Sequence, residues 1–308
     1  MRGEQNPAYR QPSGMYMSKI RLNKRRIPTD RWSAVIASPV DISGEIDTDK
    51  HGELVIFHGG WGKGIERYGP FLVKLAENGY LPIAIDTRYV YGDRQLPRRG
   101  IRQSWRVGDT NPYFSEADRA GNRWKYRKPT VLLEILRALD LEEEPRKLVG
   151  HSEGGRVQAL VARATPNQTT GLYLVNSAGT GDSSGGANRM IQANRNSIRE
   201  MRASDDGTLV AVMSALGSVA HTASHLNRFW HEKTMLQEAD TWAELDKLEG
   251  IVDVTVFHAL YDELVSFDVC AVQARSRPWV DFIPTAGSHR NIYDRDVQDL
   301  IVQAMAKE

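Results

Sequence analysis

The sequence predicts an α/β protein built on a doubly wound, mostly parallel sheet. Short apolar runs alternate with amphipathic stretches from residue 53 to the C-terminus, which is the pattern of parallel strands covered by helices on both faces. The chain has 308 residues, with 41% hydrophobic and 26% charged residues. This length and composition allow one large domain with its own core.

The first half of the chain contains three predicted strands and two predicted helices. The strands are RWSAVIASPV (31–40), at an edge of the sheet, ELVIFHGG (53–60) and LPIAIDT (81–87). The helices are 66–80, which ends at the C-cap signal Asn78-Gly79, and 128–145. Residues 1–29 are basic and lack an apolar period, and we expect them to form a flexible arm.

The second half repeats the alternation with a long interruption. The predicted strands are 146–152, 170–179, 250–260 and 277–287. The predicted helices are 154–164, 266–276 and 297–305. In the first of these helices, Val157, Leu160, Val161 and Ala164 form one apolar stripe.

Two segments break the pattern. Residues 91–126 are basic and aromatic, and residues 182–248 have helical patterns without a strand. Long insertions after sheet strands tend to cover sites, so we interpret 182–248 as a helical cap or lid rather than as a decorative layer. The core domain then comprises residues 30–181 and 249–308.

Composition excludes several classes of protein. The formal net charge is +1, which does not point to nucleic acid or an anionic membrane. Cys270 is the single cysteine, so no internal disulfide can form, and with no apolar membrane span or signal peptide we expect a cytoplasmic protein. Oligomeric state cannot be read from the sequence.

Positive charge is nonetheless concentrated in two places. Residues 1–26 carry seven Lys or Arg and one acidic residue, and residues 93–128 carry ten and four. Such clusters are usually solvated surface, and a polyanion partner is the alternative interpretation.

The segment Gly150-His151-Ser152-Glu153-Gly154 fits the pattern G-x-S-x-G between a predicted strand and a predicted helix. A serine on such a sharp turn needs neighbours without bulk, and glycines supply them. Its hydroxyl then projects above the sheet, next to the positive end of the helix. Ser152 is therefore the candidate nucleophile, and His151, within the same turn, points away from a role as its base.

A serine hydroxyl needs a base to remove its proton. His289 follows the last predicted strand and precedes the last helix, at the edge of the sheet that carries Ser152. The other histidines lie in a link, in strands, in the serine turn or in the helical insertion: His51, His58, His151, His221, His225, His231 and His258. Position therefore favours His289 as the base.

The acid that orients this base should lie at the same edge. Asp262 follows the predicted strand 250–260 and meets this condition. Glu263 and Asp182 are the alternatives that the sequence leaves open.

A glycine-rich segment, HGGWGKG (58–64), ends an earlier strand. Glycine lets the backbone approach a ligand, so the N–H of Gly60 or Trp61, paired with that of Glu153, is the predicted oxyanion hole. The competing interpretation is a phosphate loop, but the Walker and dinucleotide spacings are absent.

These motifs together resemble the α/β-hydrolase superfamily, of the capped serine hydrolase type, over residues 30–306. The resemblance rests on VIFHGGWG, AIDTR, LLEILRALDLEEEPRKLVGHSEGG, HALYDELV and AGSH, in family order. It implies the α/β-hydrolase fold with an inserted cap, and Ser152, Asp262 and His289 as the triad. Two departures are a longer, basic segment after Asp86, which implies a remodelled entrance, and the absence of the HGGG loop of many carboxylesterases.

The expected activity is hydrolysis of an ester, thioester or related small acyl substrate through an acyl-enzyme, with no metal or organic cofactor. Acyl transfer, carbon–carbon hydrolysis and perhydrolysis are alternatives that use the same site. A non-catalytic ligand-binding protein on this fold is the alternative of another class. The sequence does not identify the substrate.

Overall fold

The computed structural model describes residues 22–28, 33–42, 46, 52–61, 64–91, 113–115, 123–181, 236 and 238–307. Its centre is a sheet of eight strands: β1 (Asn23–Pro28), β2 (Ser33–Ser38), β3 (Glu53–His58), β4 (Tyr80–Tyr91), β5 (Arg146–His151), β6 (Thr169–Val175), β7 (Val254–Ala259) and β8 (Val280–Thr285). The described helices are α1 (Gly69–Glu77), α2 (Arg127–Ala138), α3 (Glu153–Ala164), α4 (Trp242–Leu245), α5 (Phe267–Arg275) and α6 (Arg295–Met305).

The strand order is β1-β2-β4-β3-β5-β6-β7-β8. The pairs β1–β2 and β2–β4 are antiparallel, whereas every neighbouring pair from β4 to β8 is parallel. The prediction of a mostly parallel, doubly wound sheet is confirmed. Because β3 to β8 run in the same direction, their carboxyl ends meet at one edge of the sheet.

Helices cover both faces of the sheet, and alternate residues of each strand enter different cores. In β3, Leu54 and Ile56 belong to the cluster that contains α2, α3 and α5, while Val55 and Phe57 belong to the cluster that contains α1 and α6. All four side chains are buried, which explains why this strand is continuously apolar in the sequence.

The expected arm, residues 1–29, contains a strand. Residues 23–28 form β1, which pairs with β2 along its whole length, so β1 rather than β2 is the edge strand. Within β1 only Ile27 is fully buried, because an edge strand is held by backbone hydrogen bonds and does not need an apolar period. Residues 1–21 lie outside the described residues.

The C-terminal end of the segment predicted as a cap, residues 182–248, belongs to the core of the domain. Helix α4 and the 3-10 turn Asp246–Leu248 pack into the core of the domain, where Trp242, Leu245 and Leu248 are buried. The Trp242 indole N–H donates to the Thr180 carbonyl at 2.7 Å. The described part of the chain does not include residues 182–235, nor residues 92–112 and 116–122 of the basic segment. Within that part, no helix is both long enough and apolar enough to span a membrane.

Candidate active site

The turn between β5 and α3 consists of one residue, Ser152. Its backbone has φ 57° and ψ −121°, a conformation that costs a residue other than glycine about 1–3 kcal/mol. The Ser152 N–H donates to the Val175 carbonyl at 3.0 Å, and the Ser152 carbonyl accepts from the Ala178 N–H at 2.9 Å. The end of β6 therefore holds the strained turn in place.

The glycines around Ser152 are required by contact with other backbone. A Cβ on Gly154 would lie 1.9 Å from the His58 carbonyl oxygen, and a Cβ on Gly150 would lie 2.4 Å from the Gly154 carbonyl oxygen. Backbone atoms cannot move aside as a flexible side chain can. The G-x-S-x-G spacing thus reflects close packing of the turn against the end of β3.

The predicted base lies next to the predicted nucleophile. His289, in the loop between β8 and the 3-10 turn Asn291–Tyr293, places its Nε2 atom 2.9 Å from the Ser152 Oγ atom. The residue is 5% exposed. A neutral imidazole with its proton on Nδ1 can accept the serine proton at this distance.

Asp262 completes the row of three residues. Its Oδ2 atom lies 2.8 Å from His289 Nδ1, and its Oδ1 atom accepts hydrogen bonds of 2.8 Å from the backbone N–H groups of Leu264 and Val265. Burial acts to raise the pKa of Asp262, but His289, His258 and the Val265 N–H together outweigh burial and hold the pKa below its ordinary value. The carboxylate is therefore charged and faces the imidazole N–H.

Of the two alternative acids, Glu263 contacts the backbone of His289 rather than its imidazole. Glu263 accepts the backbone N–H of His289 at its Oε2 atom, 3.1 Å away, so it anchors the loop while Asp262 contacts the imidazole. Asp182 lies outside the described residues.

The backbone of His289 is also held by Asn176, a residue that the sequence analysis missed. The Asn176 Nδ2 atom donates to the His289 carbonyl at 3.0 Å and to Asn291 Oδ1 at 2.8 Å, and its Oδ1 atom accepts the Ala259 N–H at 2.8 Å. Asn176 is fully buried and has a positive φ of 46°. An asparagine directly after the strand in LYLVNS was the available signal, since asparagine tolerates this conformation.

The predicted oxyanion donors do not share one environment. The Gly60 N–H donates to the Tyr68 hydroxyl at 2.8 Å, so it is engaged within the protein and is the less favoured of the two alternatives. Trp61 remains the candidate from that loop. Glu153 opens α3, where the first amides have no acceptor within the helix, and its buried carboxylate pairs with Lys128 Nζ at 2.5 Å.

His151 contacts a buried tyrosine and the backbone of the predicted base. Its Nδ1 atom lies 3.0 Å from the Tyr68 hydroxyl, and its Nε2 atom lies 2.8 Å from the His289 carbonyl oxygen. The imidazole does point away from the Ser152 hydroxyl, as expected from the turn, but it contacts the residue that carries the base.

Two other histidines are buried as neutral groups. Burial and the nearby Lys128 lower the pKa of His58 to about 3, and its Nδ1 atom lies 2.9 Å from the Gly59 carbonyl. Burial also lowers the pKa of His258, whose Nε2 atom lies 3.1 Å from the Val265 carbonyl. The remaining four, His51, His221, His225 and His231, lie outside the described residues. Among the described residues, no cluster of His, Cys, Asp and Glu could hold a metal ion.

No protein-family model matches this sequence, and no curated protein matches it. Solved structures with a similar fold do cover nearly the whole chain. The 2-hydroxy-6-oxo-6-phenylhexa-2,4-dienoate hydrolase BphD from Rhodococcus sp. strain RHA1 is 14% identical, with a TM-score of 0.63 over 94% of this chain and 99% of its own. The naproxen esterase from Bacillus subtilis is 11% identical, with a TM-score of 0.59 over 94% and 93%.

A serine hydrolase from Cycloclasticus zankles is 16% identical, with a TM-score of 0.60 over 92% of this chain and 98% of its own. These similarities, together with the order and direction of the strands, show that the chain has the α/β-hydrolase fold. At such low identity they bear on the fold, and the chemistry has to be argued from the site itself.

Proposed function

We propose that this protein is a serine hydrolase that cleaves an ester, thioester or related acyl substrate through an acyl-enzyme. The observation that carries the proposal is the continuous row of hydrogen-bonding distances from Ser152 Oγ through His289 to Asp262, 2.9 and 2.8 Å. A nucleophile, a base and an orienting acid are thus within reach of one another before any substrate binds.

The reaction follows from the direction of these hydrogen bonds. Asp262 accepts the Nδ1 proton, which leaves the Nε2 lone pair of His289 facing Ser152. The hydroxyl loses its proton to Nε2 as its oxygen attacks the substrate carbonyl, and the resulting imidazolium protonates the leaving group. Water then loses a proton to the same nitrogen as its oxygen attacks the acyl carbonyl. The imidazolium returns that proton to the Ser152 oxygen as the bond to the acyl group breaks and the acid product leaves.

The negative oxygen of the tetrahedral intermediate needs backbone donors. The Glu153 amide at the start of α3, with the Trp61 amide of the HGGW loop, is the pair that we assign to it. Loss of one such donor typically lowers kcat by about 10²–10³-fold, or about 3–4 kcal/mol. The buried pair of Glu153 and Lys128, with an Oε2–Nζ distance of 2.5 Å, fixes the first turn of α3 and with it the Glu153 amide.

Support for an acyl substrate comes from the neighbours, which are named esterase and hydrolase. A panel of p-nitrophenyl esters from acetate to palmitate tests the proposal and measures the preferred acyl length. We expect turnover of at least one ester that disappears in Ser152→Ala and persists in Ser276→Ala, an exposed serine in the turn after α5. Equal turnover in wild type and Ser152→Ala would contradict the proposal.

A further inference from the structure

A buried set of hydrogen bonds links three parts of the site that are distant in the sequence. The Gly60 N–H donates to the Tyr68 hydroxyl at 2.8 Å, the hydroxyl lies 3.0 Å from His151 Nδ1, and His151 Nε2 lies 2.8 Å from the His289 carbonyl oxygen. Tyr68 is 1% exposed and His151 is 3% exposed. The set therefore joins three segments: the loop after β3 that carries Gly60, called here the oxyanion loop, the serine turn at residues 151–152, and the loop after β8 that carries His289, called here the base loop.

The acceptor at one end fixes the proton on His151 Nε2, because a carbonyl oxygen can only accept. In its neutral form, the imidazole then presents a lone pair at Nδ1 to the Tyr68 hydroxyl. Tyr68 donates its single proton to that lone pair, and its oxygen accepts the Gly60 N–H. Burial raises the pKa of the Tyr68 hydroxyl well above its ordinary value, so the proton remains on the hydroxyl at any pH at which the enzyme would work.

We propose that His151 and Tyr68 are positioning residues that hold the base His289 and the oxyanion loop against Ser152. The inference rests on the proposed function, and it assigns to both residues an action through others rather than contact with the reacting atoms. His289 is joined to the serine turn twice: its imidazole meets Ser152 at 2.9 Å, and its carbonyl meets His151 at 2.8 Å.

The topology explains why a second link matters. Ser152 follows β5 and His289 follows β8, and two strands, β6 and β7, lie between them in the sheet. The sheet connects β5 with β8 only through β6 and β7, so the direct links between the serine turn and the loop of His289 are side-chain hydrogen bonds. His151 spans this gap directly, while Asn176, after β6, donates to the same carbonyl. Loss of the His151 bond leaves the base loop with fewer links to the serine turn.

The other end of the set acts on the oxyanion loop. A Cβ added to Gly60 would lie 3.2 Å from Ser152 Cβ and 3.4 Å from the Tyr68 hydroxyl, so the loop packs directly against the nucleophile. Tyr68 holds it there through the Gly60 amide. The amide of Trp61, the next residue, is positioned by the same contact.

The two ring nitrogens of His151 can be replaced separately. The amide nitrogen of glutamine reaches the position of Nε2, so His151→Gln keeps the donor to the His289 carbonyl and loses the acceptor for Tyr68. The asparagine side chain reaches only the position of Nδ1, so His151→Asn keeps the partner of Tyr68 and loses the bond to His289. Tyr68→Phe removes the hydroxyl from Gly60, His151 and Tyr293 and keeps the ring.

We expect His151→Asn to lower kcat by about 10–100-fold with little change in KM, the scale at which small misplacements of catalytic groups act. His151→Gln keeps a donor to the His289 carbonyl, so its kcat should stay within about threefold of wild type. Tyr68→Phe should lower kcat by about tenfold, because the Gly60 N–H loses its acceptor and the oxyanion loop is held less firmly. Gln158→Met is the matched control. Gln158 is buried in α3 and donates to the Ile56 carbonyl, without contact with the set, so its variant should change stability and leave kcat unchanged.

A second readout separates this proposal from the proposed function. The Nδ1 proton of His289, which faces Asp262, gives an NMR resonance that broadens when the imidazole becomes mobile, whether or not Ser152 attacks a substrate. We expect a sharp resonance in wild type and His151→Gln, and a broad one in His151→Asn.

Absence of any Ser152-dependent turnover in wild type would refute the proposed function, and the resonance would still decide the positioning role. Wild-type kcat with a sharp resonance in His151→Asn would overturn the positioning role for His151. If that variant fails to fold, His151→Gln and Tyr68→Phe decide instead. A loss of kcat greater than about threefold in His151→Gln, or wild-type kcat in Tyr68→Phe, would overturn the proposal.

Discussion

Replacement of Asp262 by asparagine should inactivate the enzyme by selecting the wrong tautomer of His289. In the wild type, Asp262 Oδ1 accepts from the N–H groups of Leu264 and Val265, both at 2.8 Å, and Oδ2 accepts from His289 Nδ1 at 2.8 Å. In Asp262→Asn, the two backbone donors retain the side-chain oxygen, so the amide NH2 faces Nδ1. His289 must then accept at Nδ1 and carry its proton on Nε2, where it can no longer take the proton of Ser152.

The size of this effect follows from the cost of turning the asparagine around. A flipped amide would restore the productive tautomer but would leave two buried N–H groups without an acceptor, at about 1–3 kcal/mol each. The two groups together cost about 2–6 kcal/mol, so the productive arrangement is rarer by about 30-fold to 10⁴-fold, since each 1.4 kcal/mol corresponds to a factor of ten. The lost negative charge, which stabilises the imidazolium, moves the effect toward the upper end.

Hydrolysis of the best p-nitrophenyl ester measures this effect as kcat. Glu263→Gln is the matched control because Glu263 meets the backbone N–H of His289 at 3.1 Å and glutamine can still accept there, so we expect a loss of about threefold or less. A loss below tenfold in Asp262→Asn, or an equal loss in both variants, would refute the assignment of Asp262.

Three further predictions concern stability. Gly154→Ala should lower the free energy of unfolding by more than about 4 kcal/mol or abolish folding, because its Cβ would lie 1.9 Å from the His58 carbonyl oxygen. The control is Gly250→Ala, whose Cβ meets open space at φ 71°, and denaturant titration should show a loss of about 1 kcal/mol for it. His58 has a pKa of about 3 in the folded protein and an ordinary value of 6.5, so the unfolded chain takes up the proton at a higher pH than the folded chain does. The free energy of unfolding therefore decreases as the pH is lowered below 6.5. The fall from pH 7.5 to 5 should contain about 2 kcal/mol from this group that is absent in His58→Asn, and equal slopes for both proteins would contradict its burial as a neutral group. Lys128→Met should destabilise the fold by about 3–5 kcal/mol, because it removes the cation that pairs with the buried Glu153 carboxylate. A loss below about 1 kcal/mol would show that water screens this pair.

The parallel sheet and the site at its edge were predictable because they depend on local patterns. Continuous apolar runs identify strands buried on both faces, and G-x-S-x-G identifies the turn that Ser152 occupies. Ser152, Asp262 and His289 each follow a parallel strand, and they were expected to lie close together because the carboxyl ends of parallel strands meet at one edge of the sheet. Distances confirm that Ser152, Asp262 and His289 are brought together, and their catalytic roles remain proposals.

What the sequence could not predict depends on contacts between distant segments. Which carboxylate contacts the imidazole could not be read from the sequence: Asp262 faces the His289 ring, and Glu263 accepts from the His289 backbone N–H. The link from Tyr68 to His151 joins residues 83 positions apart, and no local spacing indicates it. Strand β1 was missed for another reason, since an edge strand held by backbone pairing needs no apolar period.

The central claim, that the Ser152 hydroxyl is a nucleophile activated by His289, is tested most directly by its reaction with a fluorophosphonate. Peptide mapping after labelling should place the adduct on Ser152 in wild type, and the rate should fall at least about 10³-fold in His289→Ala, the scale of loss when a member of such a triad is removed. Ser152→Ala should not be labelled. An adduct on another residue, or a labelling rate unchanged in His289→Ala, would contradict the claim.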